Sequence, residues 1–337
     1  MELLNIGIAG LGRLGIIHAR NIAFRLSGAR LAAACSIIPD ELTYAKENLG
    51  VEYCTDSYAD LLKTPGLDAI AIVTTSGLHA QHIEEALDVG LHVFVEKPLG
   101  TTMEQCYQAE RAVEKHPDLI FQIGFMRRFD PPYVYARKKI NEGLIGIPYL
   151  VKTSGIDPIK FVEGALKFAP TSGGLFLDMG VHDIDTARWF LGSDPVAVTA
   201  YGSSFGFPAF AEFGDCEAGV ALYKHENGSM AFIHVGRTAS HGYHIETEIV
   251  GTLGTLRIGG VPRKTQCDIY GADGVLTECP EHFPERFEDA YRNEMQAFVD
   301  YVRENKKPEI TVYDGTVCTK IGYATTEAFK TGELVRI

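Results

Sequence analysis

A glycine-rich turn near the start of the chain constrains the fold more than any other feature. The motif Gly10-Leu11-Gly12-Arg13-Leu14-Gly15 follows a continuous apolar run and opens a helical segment, which is the context of the dinucleotide fingerprint G-x-G-x-x-G. Gly10 permits the tight turn, Gly12 lets the backbone approach a pyrophosphate, and Gly15 lets helix and strand pack closely. The N-terminus of the helix then offers unpaired N–H groups to the phosphates. The motif predicts a dinucleotide-binding unit.

The order of strand-like and helical segments changes after about Arg127. Before it, continuous apolar runs such as Asp68–Val73 alternate with helical segments, which is typical of a parallel sheet covered on both faces. After it, strand-like runs follow one another, and Asn227-Gly228 between two of them indicates a hairpin. We therefore expect an α/β dinucleotide-binding domain over 1–125 and an α+β domain with a largely antiparallel sheet over 126–337, whose last helices could pack back on the first domain.

Composition excludes several classes of protein. The 337 residues include 44 acidic and 31 basic side chains, so the formal charge is −13, and without a basic tract we expect no nucleic-acid partner. No apolar run approaches the roughly 18–20 residues that cross a bilayer, and Met1–Asn5 lacks the basic region of a secretory signal. The seven cysteines are scattered and form no C-x-x-C pair, which favours reduced thiols. We expect a soluble, cytoplasmic protein.

The end of the second predicted strand bears on the choice between NAD and NADP. Dinucleotide-binding folds usually carry an acid there that binds the ribose hydroxyls, and in this chain Ser36 holds that place. The residues Ile37-Ile38-Pro39-Asp40 that follow offer no Arg or Lys for a 2′-phosphate, and Asp40 would repel one. We therefore expect NAD, although NADP is not excluded because Arg13 could serve the phosphate.

A lysine follows a strand of the predicted parallel sheet. Glu96-Lys97-Pro98 comes directly after His92–Val95, at the carboxyl edge where such sheets bind ligands. An ammonium group there can hold a substrate hydroxyl and stabilise a developing alkoxide. The alternative is an ordinary solvated lysine.

An acid and a histidine share one face of a predicted helix. The pair Gly173-Gly174 precedes a helical segment on which Asp178 and His182 are four residues apart, with Asp185 adjacent to the same face. A carboxylate beside an imidazole orients it and stabilises its protonated form, which suits a general base near neutral pH.

Two alternatives compete with this interpretation. One is an ordinary helix surface, and the other is a metal site built from Asp178, His182 and Asp185, to which His79 and His82 could be added. No H-E-x-x-H motif or Cys/His cluster supports the metal site, so we expect no metal.

Four motifs together carry a family resemblance. They are Gly10–Gly15, Glu96-Lys97-Pro98, Gly124-Phe125-Met126-Arg127-Arg128-Phe129-Asp130 and the Gly173–His182 segment. In order and spacing they resemble the glucose–fructose oxidoreductase/inositol dehydrogenase/rhizopine-catabolism (Gfo/Idh/MocA) family over essentially the whole chain. Three segments most resemble the inositol 2-dehydrogenases of that family: Met126–Asp130, Gly155-Ile156-Asp157-Pro158 and His241-Gly242-Tyr243.

The resemblance implies a Rossmann domain, with a doubly wound parallel sheet, followed by a domain whose open, mostly antiparallel sheet supports homotetramers. It also implies a catalytic triad in which His182 takes the proton of the reacting hydroxyl, assisted by Asp178, while Lys97 hydrogen-bonds the same oxygen. The residues that motif and resemblance place at the cofactor are Gly10, Gly12, Arg13, Leu14, Gly15, Ser36, Thr75, Ser76, His79, Glu96, Lys97 and Arg127. Those at the substrate are Lys97, Asp157, Asp178, His182, Asp185 and His241.

The residues expected at the substrate favour a neutral polyol. Short polar side chains reject analogues that lack a hydroxyl partner, and no Arg pair accompanies them to demand a carboxylate or phosphate. The leading hypothesis is an NAD-dependent inositol 2-dehydrogenase that oxidises a ring hydroxyl of myo- or scyllo-inositol. The alternatives are an NAD(P)-dependent dehydrogenase of another cyclic polyol or of an aldose such as glucose, a noncatalytic dinucleotide-binding regulator, and, more distantly, a metal-dependent hydrolase.

Overall fold

The computed structural model describes residues 3–337, which divide into two compact units. The first unit takes the chain up to Asp130 and adds Asp289–Thr319, while the second consists of Pro131–Glu288 and Lys320–Ile337. The chain therefore first passes from one unit to the other after Asp130, a few residues beyond the predicted boundary at residue 125.

Six strands and five helices make up the first 130 residues. The strands are β1 (Leu4–Ala9), β2 (Ala29–Cys35), β3 (Tyr53–Thr55), β4 (Ala69–Ile72), β5 (His92–Glu96) and β6 (Phe121–Gly124). The helices are α1 (Gly15–Phe24), α2 (Pro39–Leu49), α3 (Tyr58–Leu61), α4 (His79–Asp88) and α5 (Met103–Lys115).

The six strands form one parallel sheet in the order β3-β2-β1-β4-β5-β6. This is the strand order of dinucleotide-binding doubly wound folds, and it confirms the predicted fold of this part of the chain. Its strands read as continuous apolar runs because both faces are covered, and Ile8 and Phe94 are fully buried. The strand order reverses beside β1, so the glycine turn lies at the switch point where such sheets bind ligands.

The elements between residues 131 and 286 belong to the second unit. Its strands are β7 (Pro148–Pro158), β8 (Pro195–Ser203), β9 (Ala218–His225), β10 (Met230–Ala239), β11 (His244–Gly251), β12 (Thr255–Ile258), β13 (Asp268–Gly271) and β14 (Gly274–Thr277). Its helices are α6 (Pro131–Asn141), α7 (Val162–Ser172), α8 (Leu175–Asp178), α9 (Gly180–Leu191) and α10 (Phe283–Arg286). The chain ends with α11 (Glu288–Glu304), α12 (Val312–Thr331) and β15 (Val335–Arg336).

Helix α11 completes the core of the first unit. Its residues Met295, Phe298 and Val299 are buried in the same apolar cluster as Ile6 and Ile8 of the sheet. The apolar residues of α11 recur at helical spacing because one face of the helix packs on this core.

The second unit is built on a seven-stranded sheet in the order β12-β11-β7-β10-β9-β8-β15. Only β7 and β10 run parallel, which confirms the predicted, mostly antiparallel sheet. The predicted hairpin at Asn227-Gly228 joins β9 to β10, and Gly228 has the positive φ of +85° that such turns require.

One face of this sheet is covered by a helix and the other lies at the surface. Helix α9 packs against β7 and β10, whose inward residues such as Ile233 are buried. Met230, Phe232 and Leu222 alternate with these buried residues and are exposed on the opposite face. Within residues 3–337, no helix combines the length and apolarity needed to span a membrane.

Candidate active site

The glycine turn of the first unit leaves room for a ligand at one position only. A Cβ atom on Gly10 would lie 2.4 Å from the carbonyl oxygen of Val73, and one on Gly15 would lie 2.1 Å from that of Gly10. At Gly12, in contrast, no atom lies within 4 Å of the Cβ position. The two outer glycines are thus required by packing, while Gly12 opens a space at the start of α1 that fits a pyrophosphate. Arg13 beside it is exposed, and Leu14 is half-buried.

Ser36 follows β2 directly, as the sequence predicts, and brings a carboxylate with it. Its hydroxyl donates a hydrogen bond of 2.5 Å to Oε2 of Glu41, which lies in the first turn of α2. No sequence motif marks Glu41, because dinucleotide-binding folds usually carry this acid at the end of the strand itself.

The loop after β4 carries three of the residues predicted at the cofactor. Thr75 is exposed and Ser76 half-buried at the turn that leads into α4. His79 is buried, with Nδ1 2.8 Å from the carbonyl oxygen of Pro98 and Nε2 3.0 Å from that of Thr74. Burial lowers the pKa of His79. Its ring ties the loop after β4 to the loop after β5.

Lys97 lies at the carboxyl end of β5 and is half-buried. The backbone N–H of Lys97 donates to Oε2 of Glu96 at 3.2 Å, and Oε1 of Glu96 lies 2.7 Å from Nε2 of His18 on α1. The carboxylate of Glu96 is therefore engaged with His18 in the interior of the first unit. Together with His79, this contact fixes the backbone on which the ammonium group of Lys97 is carried.

A third ionisable group adjoins this pair. Glu294 on α11 is fully buried, and its Oε1 lies 4.0 Å from Nε2 of His18. Burial, and then the charge of Glu96, raise the pKa of Glu294 well above the usual value for glutamate. Among residues 3–337, His18, Glu96 and Glu294 form the one group of three or more potential metal-ligating side chains with close ligand atoms. Asp178, His182 and Asp185 form no such group.

The predicted helix that carries Asp178 and His182 is divided in the structure. Helix α8 ends at Asp178 and α9 begins at Gly180, with Met179 between them. The N–H of His182 bonds to the carbonyl oxygen of Met179, three residues back, so the chain tightens here instead of continuing one α-helix. Both side chains are half-buried. The expectation of one continuous helix is therefore wrong, although the two residues remain close in sequence on successive helices.

A buried arginine lies beside Asp178. Nη2 of Arg237 on β10 is 3.8 Å from Oδ2 of Asp178, and its Nη1 donates to Oδ2 of Asp215 at 2.9 Å. Oδ1 of Asp215 accepts a hydrogen bond from the backbone N–H of Leu175, the first residue of α8. Arg237 and Asp215 therefore hold α8 and place a positive charge next to Asp178. Nothing local in the sequence marks Arg237, because its contacts join segments that are far apart in the chain.

The other residues predicted at the substrate also lie in the second unit. Asp185 on α9 is buried, and Asp157 near the end of β7 is half-buried. His241 is exposed between β10 and β11, with Nε2 2.9 Å from Nδ1 of His244. Burial, and then the nearby His241, lower the pKa of His244. Arg127 is buried in the turn after β6, in the first unit with the rest of the predicted cofactor residues.

Comparison with known proteins extends over nearly the whole chain. Residues 4–125 match a family model described as an oxidoreductase family with an NAD-binding Rossmann fold, and residues 133–257 match the GFO/IDH/MocA C-terminal domain. The scyllo-inositol 2-dehydrogenase (NAD(+)) of Bacillus subtilis is 33% identical over 334 residues, which cover 98% of this chain and 95% of that protein.

Two solved structures have a closely similar fold. One is scyllo-inositol dehydrogenase from Lactobacillus casei with bound NAD(H) and scyllo-inositol, which is 44% identical with a TM-score of 0.96 and 99% of each chain covered. The other is myo-inositol 2-dehydrogenase from Lactobacillus plantarum, which is 40% identical with a TM-score of 0.97 and 100% of each chain covered.

Proposed function

Because the chain belongs to the Gfo/Idh/MocA family of NAD-binding oxidoreductases, we propose that it is an NAD-dependent inositol 2-dehydrogenase acting on scyllo- or myo-inositol. The family, the oxidoreductase class and the cofactor agree with the sequence predictions. The proposal depends above all on one observation: a chain that aligns over nearly its whole length with inositol dehydrogenases also carries Lys97, Asp178 and His182, the residues that we assign as its reactive groups. A noncatalytic regulator would not need all three.

We assign the chemical roles as follows. His182 takes the proton of the reacting ring hydroxyl, and Asp178 orients the imidazole and stabilises its protonated form. Lys97 hydrogen-bonds the same oxygen and stabilises the negative charge that develops as the proton leaves. NAD, when bound, accepts the hydride from the carbon that carries this oxygen, so the C–O single bond becomes a carbonyl. The remaining hydroxyls of the ring are recognised by Asp157, Asp185 and His241.

The contacts of Arg237 support the role assigned to Asp178. A charge-assisted contact with a buried cation keeps Asp178 in place, and a carboxylate held in this way can serve as a fixed partner for an imidazole. Its other partner, Asp215, accepts a hydrogen bond from the first residue of α8, so the short helix that ends at Asp178 is anchored at its start.

The assay that tests the proposal follows the absorbance of NADH with NAD and a panel of inositols, other cyclic polyols and hexoses. We expect the highest kcat/KM with scyllo- or myo-inositol. A higher value with an aldose would instead support the alternative of a sugar dehydrogenase. No turnover of any polyol, with intact binding of NADH, would contradict the enzyme and favour a dinucleotide-binding regulator.

We further propose that the protein is a cytoplasmic homotetramer. The seven cysteines form no disulfide in the described part of the chain, which suits a reducing compartment. The exposed apolar residues Leu222, Met230 and Phe232 share one sheet face, as expected of a surface that a second copy covers. Light scattering should give a fourfold mass that F232E reduces and F24E, at an exposed phenylalanine on α1, leaves unchanged. A wild-type mass equal to that of one chain would contradict the tetramer.

A further inference from the structure

The carboxyl end of β2 carries an acid that the strand itself lacks. Ser36, the residue after β2, is buried, and its hydroxyl both donates to Oε2 of Glu41 at 2.5 Å and accepts from the backbone N–H of Ile38 at 3.1 Å. The hydroxyl of Ser36 thus both donates and accepts a hydrogen bond, and it holds the Glu41 carboxylate at the end of the strand.

This end of β2 lies next to the glycine turn. The N–H of Gly10 donates to the carbonyl oxygen of Cys35 at 2.8 Å, so the first glycine of the motif and the residue before Ser36 are directly bonded. The turn holds the pyrophosphate at Gly12, and the adenosine ribose of a dinucleotide reaches the end of the second strand from there. Glu41 is therefore close to the place where the ribose hydroxyls are bound in this fold.

The setting of Glu41 suits a charged acceptor. The residue is half-buried in the first turn of α2, where the positive end of the helix dipole favours a carboxylate. A carboxylate accepts hydrogen bonds from two neighbouring hydroxyls but repels a phosphate on either of them. The second acid of this turn, Asp40, is exposed, and no Lys or Arg lies between Ser36 and Glu41.

We propose that Glu41, held by Ser36, binds the adenosine ribose hydroxyls of NAD and excludes the 2′-phosphate of NADP. This inference rests on the proposed function, because it assigns a specificity residue to the same cofactor site. The acid usually found on the strand is thus replaced by a serine on the strand and a glutamate on the following helix. The competing explanation is that the Ser36–Glu41 bond only stabilises the start of α2.

The two explanations differ in dinucleotide selectivity. In E41Q the amide keeps the size of the side chain and can still accept from Ser36, but the charge is lost. Titration of the protein with NADH and NADPH, followed by fluorescence without any polyol, measures both dissociation constants. We expect the ratio of the NADH to the NADPH dissociation constant to be about tenfold to a hundredfold higher in E41Q than in the wild type. The reason is that a charge-assisted bond to the ribose of NADH is lost and the repulsion of the 2′-phosphate of NADPH is removed.

The variant D40N removes a carboxylate from the same turn and serves as the matched control. We expect less than about a twofold change in the NADH-to-NADPH ratio, since an exposed charge is well screened. S36A releases Glu41 without changing the charge, and it should shift the ratio in the same direction as E41Q. If E41Q does not fold, the NADH-to-NADPH ratio of S36A tests the proposal by itself.

Three outcomes would overturn the inference. One is an unchanged ratio in E41Q or S36A with lowered thermal stability, which is the result expected if the Ser36–Glu41 bond only stabilises the start of α2. Another is a wild-type preference for NADPH, which leaves the dehydrogenase assignment intact. A wild type that binds neither dinucleotide contradicts the proposed function as well, so the two failures are distinguishable.

Discussion

The two units of the chain define their functional residues by different means. In the first, positions are set by the backbone: a positive φ and close approaches require glycines, and strand ends bring polar residues to one edge of the sheet. In the second, Asp178 is held by side chains from distant segments, through Arg237 of β10 and Asp215 before β9. Backbone requirements leave short motifs in a sequence, whereas a buried ion-pair network does not. The difference explains which site residues a sequence reveals.

The largest effects should follow removal of the groups that act on the substrate. We expect H182A and K97A each to lower kcat by about two to four decades, because a positioned proton acceptor or a stabilising charge is lost. Steady-state kinetics with the best inositol and NAD measure this. In H182A the dissociation constant of NADH should change little, which separates catalysis from cofactor binding. Near-full turnover in either variant would contradict its assigned role.

The ion pairs of the second unit should differ strongly in their contribution to stability. R237M leaves Asp215 buried without its cation, so we expect the free energy of unfolding to fall by about 3–5 kcal/mol. The matched change R257M breaks a pair with Glu246 whose arginine is 57% exposed, and should cost about 0.2–1 kcal/mol. Urea unfolding of both variants measures the difference. Equal losses would show that Arg237 does not hold the second unit together.

Alanine substitution of a glycine should affect NADH binding in the first unit but not in the second. Neither Gly12 nor Gly164 of α7 has an atom within 4 Å of its Cβ position, so G12A and G164A should both fold. Only G12A should weaken NADH binding, by about tenfold to a hundredfold, because the methyl fills the space left for the pyrophosphate. Fluorescence titration and thermal melting report the two properties separately. If G12A binds NADH like the wild type, the backbone at this turn is not the phosphate site.

The smallest expected effect concerns the pH dependence of stability. The pKa of Glu294 is raised by burial and then by Glu96. Its contribution to stability is therefore fully present below the unfolded pKa of about 4.3 and is lost as the pH rises through the folded pKa. E294Q is neutral at every pH and should flatten this decline in urea unfolding between about pH 5 and pH 9. E304Q, at an exposed site on the same helix, should decline like the wild type. A decline of equal slope in E294Q would contradict the assigned pKa.

The sequence predicts most of the fold because the informative patterns are local. The parallel sheet follows from apolar strands and glycines that are close together in the chain, and the hairpin at Asn227-Gly228 from two residues. The return of α11 to the first unit is different. Helical spacing shows that Met295 and Phe298 face a core, but not which core. That choice depends on packing between segments far apart in sequence.

The site is predicted in part for the same reason. Motifs predict roles for the glycine turn, Lys97 and the Asp178–His182 pair. They place Asp178 and His182 on one helix, whereas the chain tightens at Met179. Glu41 and Arg237 carry no motif. The first is found only when the hydroxyl of Ser36 is traced to its acceptor, and the second only when the partner of Asp178 is known.

The most direct test of the proposed mechanism is a crystal structure of the protein with NADH and scyllo-inositol bound. We expect one ring oxygen within hydrogen-bond distance, about 2.6–3.2 Å, of both Nζ of Lys97 and a ring nitrogen of His182. An inositol whose oxygens contact neither group, or contact them through different hydroxyls, would contradict the shared role of the two residues.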